Sequence, residues 1–269
     1  MSNPVFDRLA KDNRGYATFG GPSPSATASP QDTRTPTPQD LDVMYGQPSA
    51  TSVDTGRLTY DDVVVKTSLT FAVLFAGAAV GWITKNPALM ILGAVVGLAL
   101  GLVNSFKKNP SPVLILAYAG FEGLFVGGIS QFYEARYNGI VAQAVLGTFS
   151  VFVAVLFGVR SGRLRTSPRL NKIFFAAMIG YLIFSLVNVV VTMTSGGSLR
   201  GGMLGLVVGA FAVVLAAYSL VMDFEFIAKG VQAGAPAKFA WTAAFGLVVT
   251  LVWLYLEILR ILSILRGDN

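Results

Sequence analysis

Cysteine and histidine are both missing from the 269 residues. The first absence excludes disulfides, thiol catalysis and covalent haem attachment, and the second removes imidazole metal ligands and any Ser/His dyad. Acidic residues are scarce in the apolar part of the chain. Of 14, Asp7, Asp12, Asp32, Asp40, Asp42, Asp54, Asp61 and Asp62 precede the first hydrophobic run and Asp268 lies at the tip. Only Glu122, Glu134, Asp223, Glu225 and Glu257 remain within the apolar body. Charged residues make up 13% of the chain against 54% hydrophobic ones, with a mean hydropathy of +0.63, which defines an all-α, polytopic membrane protein.

The chain divides near Leu58. Residues 1–58 hold seven of the twelve prolines in a Ser/Thr/Gly/Asp/Gln-rich setting. Such a stretch cannot bury enough apolar surface to offset its ordering entropy, so a disordered tail is expected, without the apolar core of a secretory signal. Beyond it, seven segments have the roughly 20 apolar residues that cross a hydrocarbon core. They lie near 63–83, 88–106, 113–133, 140–160, 171–193, 203–227 and 240–264. Thr59 with Asp62 predicts a capping box, Asn86-Pro87 and Ser111-Pro112 predict capped helix starts, and Asn138-Gly139 and Ser195-Gly196-Gly197 predict turns.

The net charge of +6 resides in connections between spans, so it signals topology rather than nucleic-acid binding. Lys107, Lys108, Arg160, Arg163, Arg165, Arg169, Lys172, Lys229 and Lys238 fall on one side, and Lys85, Arg136 and Arg200, followed by Arg266, on the other. A bacterial plasma-membrane protein with its amino terminus cytoplasmic and its carboxyl terminus outside is expected. The five bases between spans four and five could attract anionic lipid, but positive-inside bias alone accounts for them. Glycines at four-residue spacing (Gly93/Gly97/Gly101, Gly201/Gly205/Gly209, Gly77/Gly81, Gly123/Gly127) predict close helix contacts and permit homo-oligomers.

A carboxylate in lipid must be neutralised, paired or wetted, which makes each intramembrane acid a candidate site. Glu257 has Arg260 three residues on, on the same helix face, as its nearby base. Asp223 falls in the half of span six nearest its end, and Glu225 points some 200° away from it around the helix. Glu122 lies mid-span with no base on its helix, and Glu134 reads as a solvated carboxylate at a span end. Two carboxylates held close in low dielectric cannot both ionise cheaply, so such a pair shares a proton and acts as a pH switch. Fully deprotonated, it presents oxygen ligands to a hard cation.

Phe121-Glu122-Gly123-Leu124 in span three, Met222-Asp223-Phe224 in span six and Leu254-Tyr255-Leu256-Glu257-Ile258 in span seven resemble, in that order, the motifs of the Bax inhibitor-1 family. This is also called the YccA-like or transmembrane Bax inhibitor motif family. The resemblance covers about residues 58–266 and looks closest to an actinobacterial branch with a Pro-rich head. It implies a bundle with the seventh helix central and a pH-regulated calcium leak gated by acids on the sixth and seventh helices. Those acids would be Asp223 and Glu257, as proton sensor and cation ligands, with Glu122 and Arg260 as supporting polar groups. The chain departs from the family pattern in having Glu rather than Asp at 257, a longer segment between the two acids, and no Arg between Pro87 and Phe106. No cofactor is expected beyond Ca²⁺ or H⁺ as the transported or regulatory ion.

A second implication of the resemblance is regulation by binding, since YccA-like members are linked to a membrane-anchored protease and the flexible head could engage such a partner. Catalysis has little to stand on. Rhomboid-like chemistry fails for want of His, and aspartyl proteolysis needs two facing aspartates where this chain offers Glu257. Ser150, Ser185 and Thr192 lack an activating base and are expected to bond backbone or neighbouring helices.

Overall fold

The computed structural model describes residues 56–267, so most of the expected disordered head lies outside the described residues. Seven helices follow: α1 (Tyr60–Thr84), α2 (Pro87–Phe106), α3 (Pro112–Arg136), α4 (Ile140–Arg160), α5 (Pro168–Ser195), α6 (Gly202–Gln232) and α7 (Phe239–Leu265). All seven are long and apolar enough to span a membrane. Their short connections alternate between two faces. We call the face bearing the α2–α3, α4–α5 and α6–α7 connections the basic face.

Local chemistry sets the helix starts. The Thr59 hydroxyl accepts from the Asp62 amide at 3.0 Å while the Asp62 carboxylate accepts from the Thr59 amide at 3.2 Å, a reciprocal capping box. Asn86 Oδ1 accepts from the Ala88 amide at 2.9 Å ahead of Pro87. Pro112 likewise opens α3, although Ser111 gives no side-chain cap there. Gly139 and Gly196 take positive φ at the expected turns. The main difference from sequence expectation is α6, which continues to Gln232 rather than ending near 227. Three residues assigned to the tail are also structured. The Leu58 amide donates to the Ala235 carbonyl at 2.7 Å, the Ala237 amide donates to the Gly56 carbonyl at 2.8 Å, and Leu58 is buried. The segment before α1 therefore clips onto the α6–α7 connection, and Lys66 Nζ adds a 3.1 Å bond to the Ala237 carbonyl.

α7 is the most buried helix and packs on α6, α1, α4 and α3, with Ala240, Ala244, Val248 and Leu254 fully enclosed. α2 leans mainly on α3 and α5 mainly on α6, and both turn long apolar faces outward. Exposed Leu98, Leu102, Ile183 and Leu186 on these helices belong in lipid, where apolar exposure carries no cost.

The glycine ridges make the closest contacts. α1 crosses α3 with Gly77 and Gly81 against Gly120 and Leu124, and Gly123 and Gly127 against Leu74 and Ala78. A Cβ on Gly127 would sit 2.0 Å from the Ala78 carbonyl oxygen, so even a methyl group forces the backbones apart. Gly127→Ala is expected to lose about 1–3 kcal/mol, the usual cost of overpacking. Gly180, whose added Cβ would meet open space, is the control. Thermal unfolding in detergent should separate the two variants; equal midpoints would refute this crossing.

Candidate functional site

One face of α7 carries a stripe that includes its acid and base. Thr242, Gly246, Thr250, Trp253, Glu257 and Arg260 recur at spacings of four and three, which keeps them on one helix face. From Thr242 to Arg260 the stripe rises about 27 Å, close to the hydrocarbon thickness of a bilayer. It has two acidic stations.

The first station lies toward the basic face. Asp223 of α6 accepts from Thr250 Oγ1 at 2.8 Å, and Thr250 lies 3.3 Å from the Ser219 hydroxyl. Asp223 lines a cavity of about 350 Å³ with Asn104, Lys107, Pro110, Thr242 and Gly246. Its lining includes the α2–α3 connection, so the cavity reaches the basic face. A second cavity of about 400 Å³ adjoins it, sharing Ser105 and Phe245, and carries Glu122 beside Gly97, Gly101 and Tyr118. Among the described residues Glu122 has no hydrogen-bond or ion-pair partner. The space beside Asp223 therefore extends toward a second carboxyl group.

The second station is Glu257, only 1% exposed. Its Oε1 accepts from Arg260 Nη2 at 2.7 Å, from Arg200 Nη2 at 3.0 Å and from the Tyr181 hydroxyl. Arg200 also reaches the Tyr181 hydroxyl at 2.7 Å and lies over its ring, 5.2 Å from the centroid. Trp253 packs against the same ring at 5.5 Å and closes the stripe between the two stations. Glu257 Oε2, Arg200 Nε and Arg260 Nη1 are buried without hydrogen-bond partners. One carboxylate thus faces two guanidiniums, leaving the cluster one positive charge in excess.

The expected Asp223–Glu257 pair does not form. Asp223 engages α7 at Thr250, and Glu257 lies seven residues further along, about 10 Å up the axis. They stand at separate levels of the stripe, each with its own partners. Arg260 does pair with Glu257, as its i,i+3 spacing suggested. Arg200, which the sequence offered only as a loop charge, is the partner the sequence reading missed, together with Tyr181. The remaining acids are structural. Glu225 accepts from the Thr166 amide at 2.5 Å and hydroxyl at 2.7 Å and from Lys229 at 2.7 Å, tying the α4–α5 connection to α6. Glu134, expected to be merely solvated, accepts from the Gly139 and Val141 amides at 2.6 and 3.0 Å and caps α4. Ser150 and Thr192 bond the backbone one turn back, whereas the buried Ser185 hydroxyl has no partner.

These features define a seven-helix membrane protein with a polar stripe on an enclosed last helix and a salt-bridged carboxylate within the membrane-spanning bundle. The sequence model of the Bax inhibitor 1 like family matches residues 3–267, and the chain belongs to that family. Among curated proteins it is similar to an uncharacterized membrane protein of Streptococcus pyogenes serotype M3, 28% identical over 194 residues, covering 69% of this chain and 78% of the relative. A serotype M1 counterpart is 27% identical over the same shares.

Removing one member of a buried ion pair strands the others, at a cost of about 3–5 kcal/mol. Glu257→Ala leaves two guanidiniums facing each other and is expected to be the most destabilising change in the cluster. Arg200→Ala and Arg260→Ala, which each leave one base on Glu257, should cost less. Unfolding midpoints of the three variants check the order; an inert Glu257→Ala would mean that the cluster contributes nothing to holding the helices.

Proposed function

We propose that this protein is a proton-regulated cation leak of the bacterial plasma membrane, with Ca²⁺ as the candidate ion. The carrying observation is the α7 stripe. It runs almost the full hydrocarbon thickness, has an acid-lined cavity at one end, and is stopped at the other by an ion-paired cluster. The excess of Lys and Arg on the basic face supports placing that face in the cytoplasm.

On this reading Asp223 draws cations into the cavity beside it, with Glu122 as a second carboxyl group alongside. Oxygen ligands from carboxylate, hydroxyl and carbonyl groups suit a hard cation. Glu257 serves a different role: it holds Arg200 of the α5–α6 connection and Arg260 of α7 together, and those two positive charges close the far end. Without the Glu257 charge the two bases face each other, and their repulsion loosens the closure. Protonating Asp223 has the opposite effect, since it removes the charge that attracts cations. The two stations therefore act on the leak in opposite directions.

Ca²⁺ flux from proteoliposomes tests this. Asp223→Asn is expected to cut the leak by about tenfold, the lower end of what one charge does to ion concentration in a low-dielectric cleft. Glu257→Gln, which removes the charge holding Arg200 and Arg260 together, is expected to raise it. Wild-type flux and pH response in both variants would reject the proposal.

A further inference from the structure

A wide crevice lies away from the acids, between α1 and α4. Both helices pack on α6 and α7 but hardly on each other, leaving a cleft of about 770 Å³ floored by Phe224, Ile227 and Leu247. Its walls are Val63 and Val64 of α1 and Phe152 and Leu156 of α4. Val64 is 61% and Leu156 38% exposed, so the cleft opens sideways to the bilayer. It extends from Tyr60 to Ser68 along α1 and from Arg160 back to Phe152 along α4. Eight residues of helix rise about 12 Å, most of the hydrocarbon depth of one leaflet.

The mouth of this cleft is positively charged. Arg160 lines it at the basic face, is exposed, and has no ion-pair or hydrogen-bond partner among the described residues. Arg163 and Arg165 follow in the same connection and are likewise exposed. Of the nearby acids, Asp62 is engaged by Thr59 and Lys66 and Glu225 by Thr166 and Lys229, and exposed Asp61 makes no ion pair with Arg160. An apolar slot one leaflet deep beneath unneutralised arginines matches one ligand chemistry: a hydrocarbon chain carrying an anionic head.

From this we infer that the α1–α4 cleft is a binding site for one anionic glycerophospholipid of the leaflet at the basic face. An acyl chain fills the slot between Val64 and Leu156, and the phosphate rests on Arg160 with Arg163 and Arg165 behind it. The site is separate from the α7 stripe and does not depend on ion flux. Positive-inside bias explains the charge of the α4–α5 connection but not the apolar slot beneath it.

Native mass spectrometry of the full-length protein, titrated separately with phosphatidylglycerol and phosphatidylcholine, provides the test. One phosphatidylglycerol is expected to bind about thirtyfold more tightly than phosphatidylcholine, as two bases near a phosphate would produce. Arg160→Gln should reduce that preference about fivefold and Arg160→Lys should retain it, while Arg169→Gln, outside the cleft, should leave it unchanged. Val64→Trp, which fills the slot, should weaken both lipids. Since Arg160 and Val64 are exposed, unchanged circular dichroism and elution separate lost binding from lost folding. An undiminished preference in Arg160→Gln, or undiminished binding in Val64→Trp, would overturn the inference. So would tighter binding of both lipids after deletion of residues 1–55, which would make the head the occupant of the cleft.

Discussion

Burying Glu257 is the constraint around which the far end of the bundle is arranged. An ionised carboxylate that is 1% exposed within a membrane-spanning helix is tolerable only with opposite charge at contact distance. Arg260 alone, one turn away on the same helix, would satisfy the charge without joining one helix to another. The second base comes from Arg200 at the end of the α5–α6 connection, and the Tyr181 hydroxyl adds a donor from α5. α5 otherwise has few ties to the core, and α2 and α5 carry the most lipid-facing apolar surface. The carboxylate therefore brings α5, the α5–α6 connection and α7 together at a place where apolar packing is thin.

The other end is organised by backbone hydrogen bonds and caps rather than by buried charge. Gly56–Leu58 pairs with Ala235–Ala237, Lys66 reaches the Ala237 carbonyl, and Glu225 holds Thr166. Each of these fixes a connection of the basic face against a neighbouring helix. Along the far half of α1, close backbone approach holds the bundle, with Gly77, Gly81, Gly123 and Gly127 bringing α1 against α3. The two cavities beside Asp223 and Glu122 lie where α2, α3, α6 and α7 meet without close-fitting side chains.

How much of this could be read from sequence depended on the range of each interaction. Spans, caps and turns are local, so Thr59–Asp62, Asn86-Pro87 and Gly139 declared themselves within a few residues. The glycine ridges were legible because four-residue spacing implies a face, and a face implies a partner. The i,i+3 pairing of Glu257 with Arg260 was legible for the same reason. Arg200 lies 57 residues from Glu257, and nothing in its surroundings distinguished it from a topology-setting loop charge. Tyr181, a lone hydroxyl in the apolar run Met178-Ile179-Gly180-Tyr181-Leu182-Ile183, was the one available hint that α5 faced something polar. Glu134 was misjudged because capping the next helix depends on how the intervening turn folds back, which spacing alone does not reveal.

The separation of Asp223 from Glu257 has a geometric cause that the sequence contained without making obvious. α6 runs nine residues past Asp223 before the Ala233–Lys238 connection, placing the carboxylate about 14 Å from that end of the helix. α7 begins at Phe239, and Glu257 is eighteen residues in, about 27 Å from the same connection. The connection cannot absorb the difference, because its Ala235 and Ala237 are hydrogen-bonded to Leu58 and Gly56. Bringing the two acids together would require sliding α7 about two turns along α6. That slide would break the Thr250–Asp223 bond and withdraw Glu257 from both arginines. Trp253, which packs on Tyr181 and shares α7 with both Thr250 and Glu257, lies between the two stations. The two acids thus occupy two sites at different depths, each with its own partners.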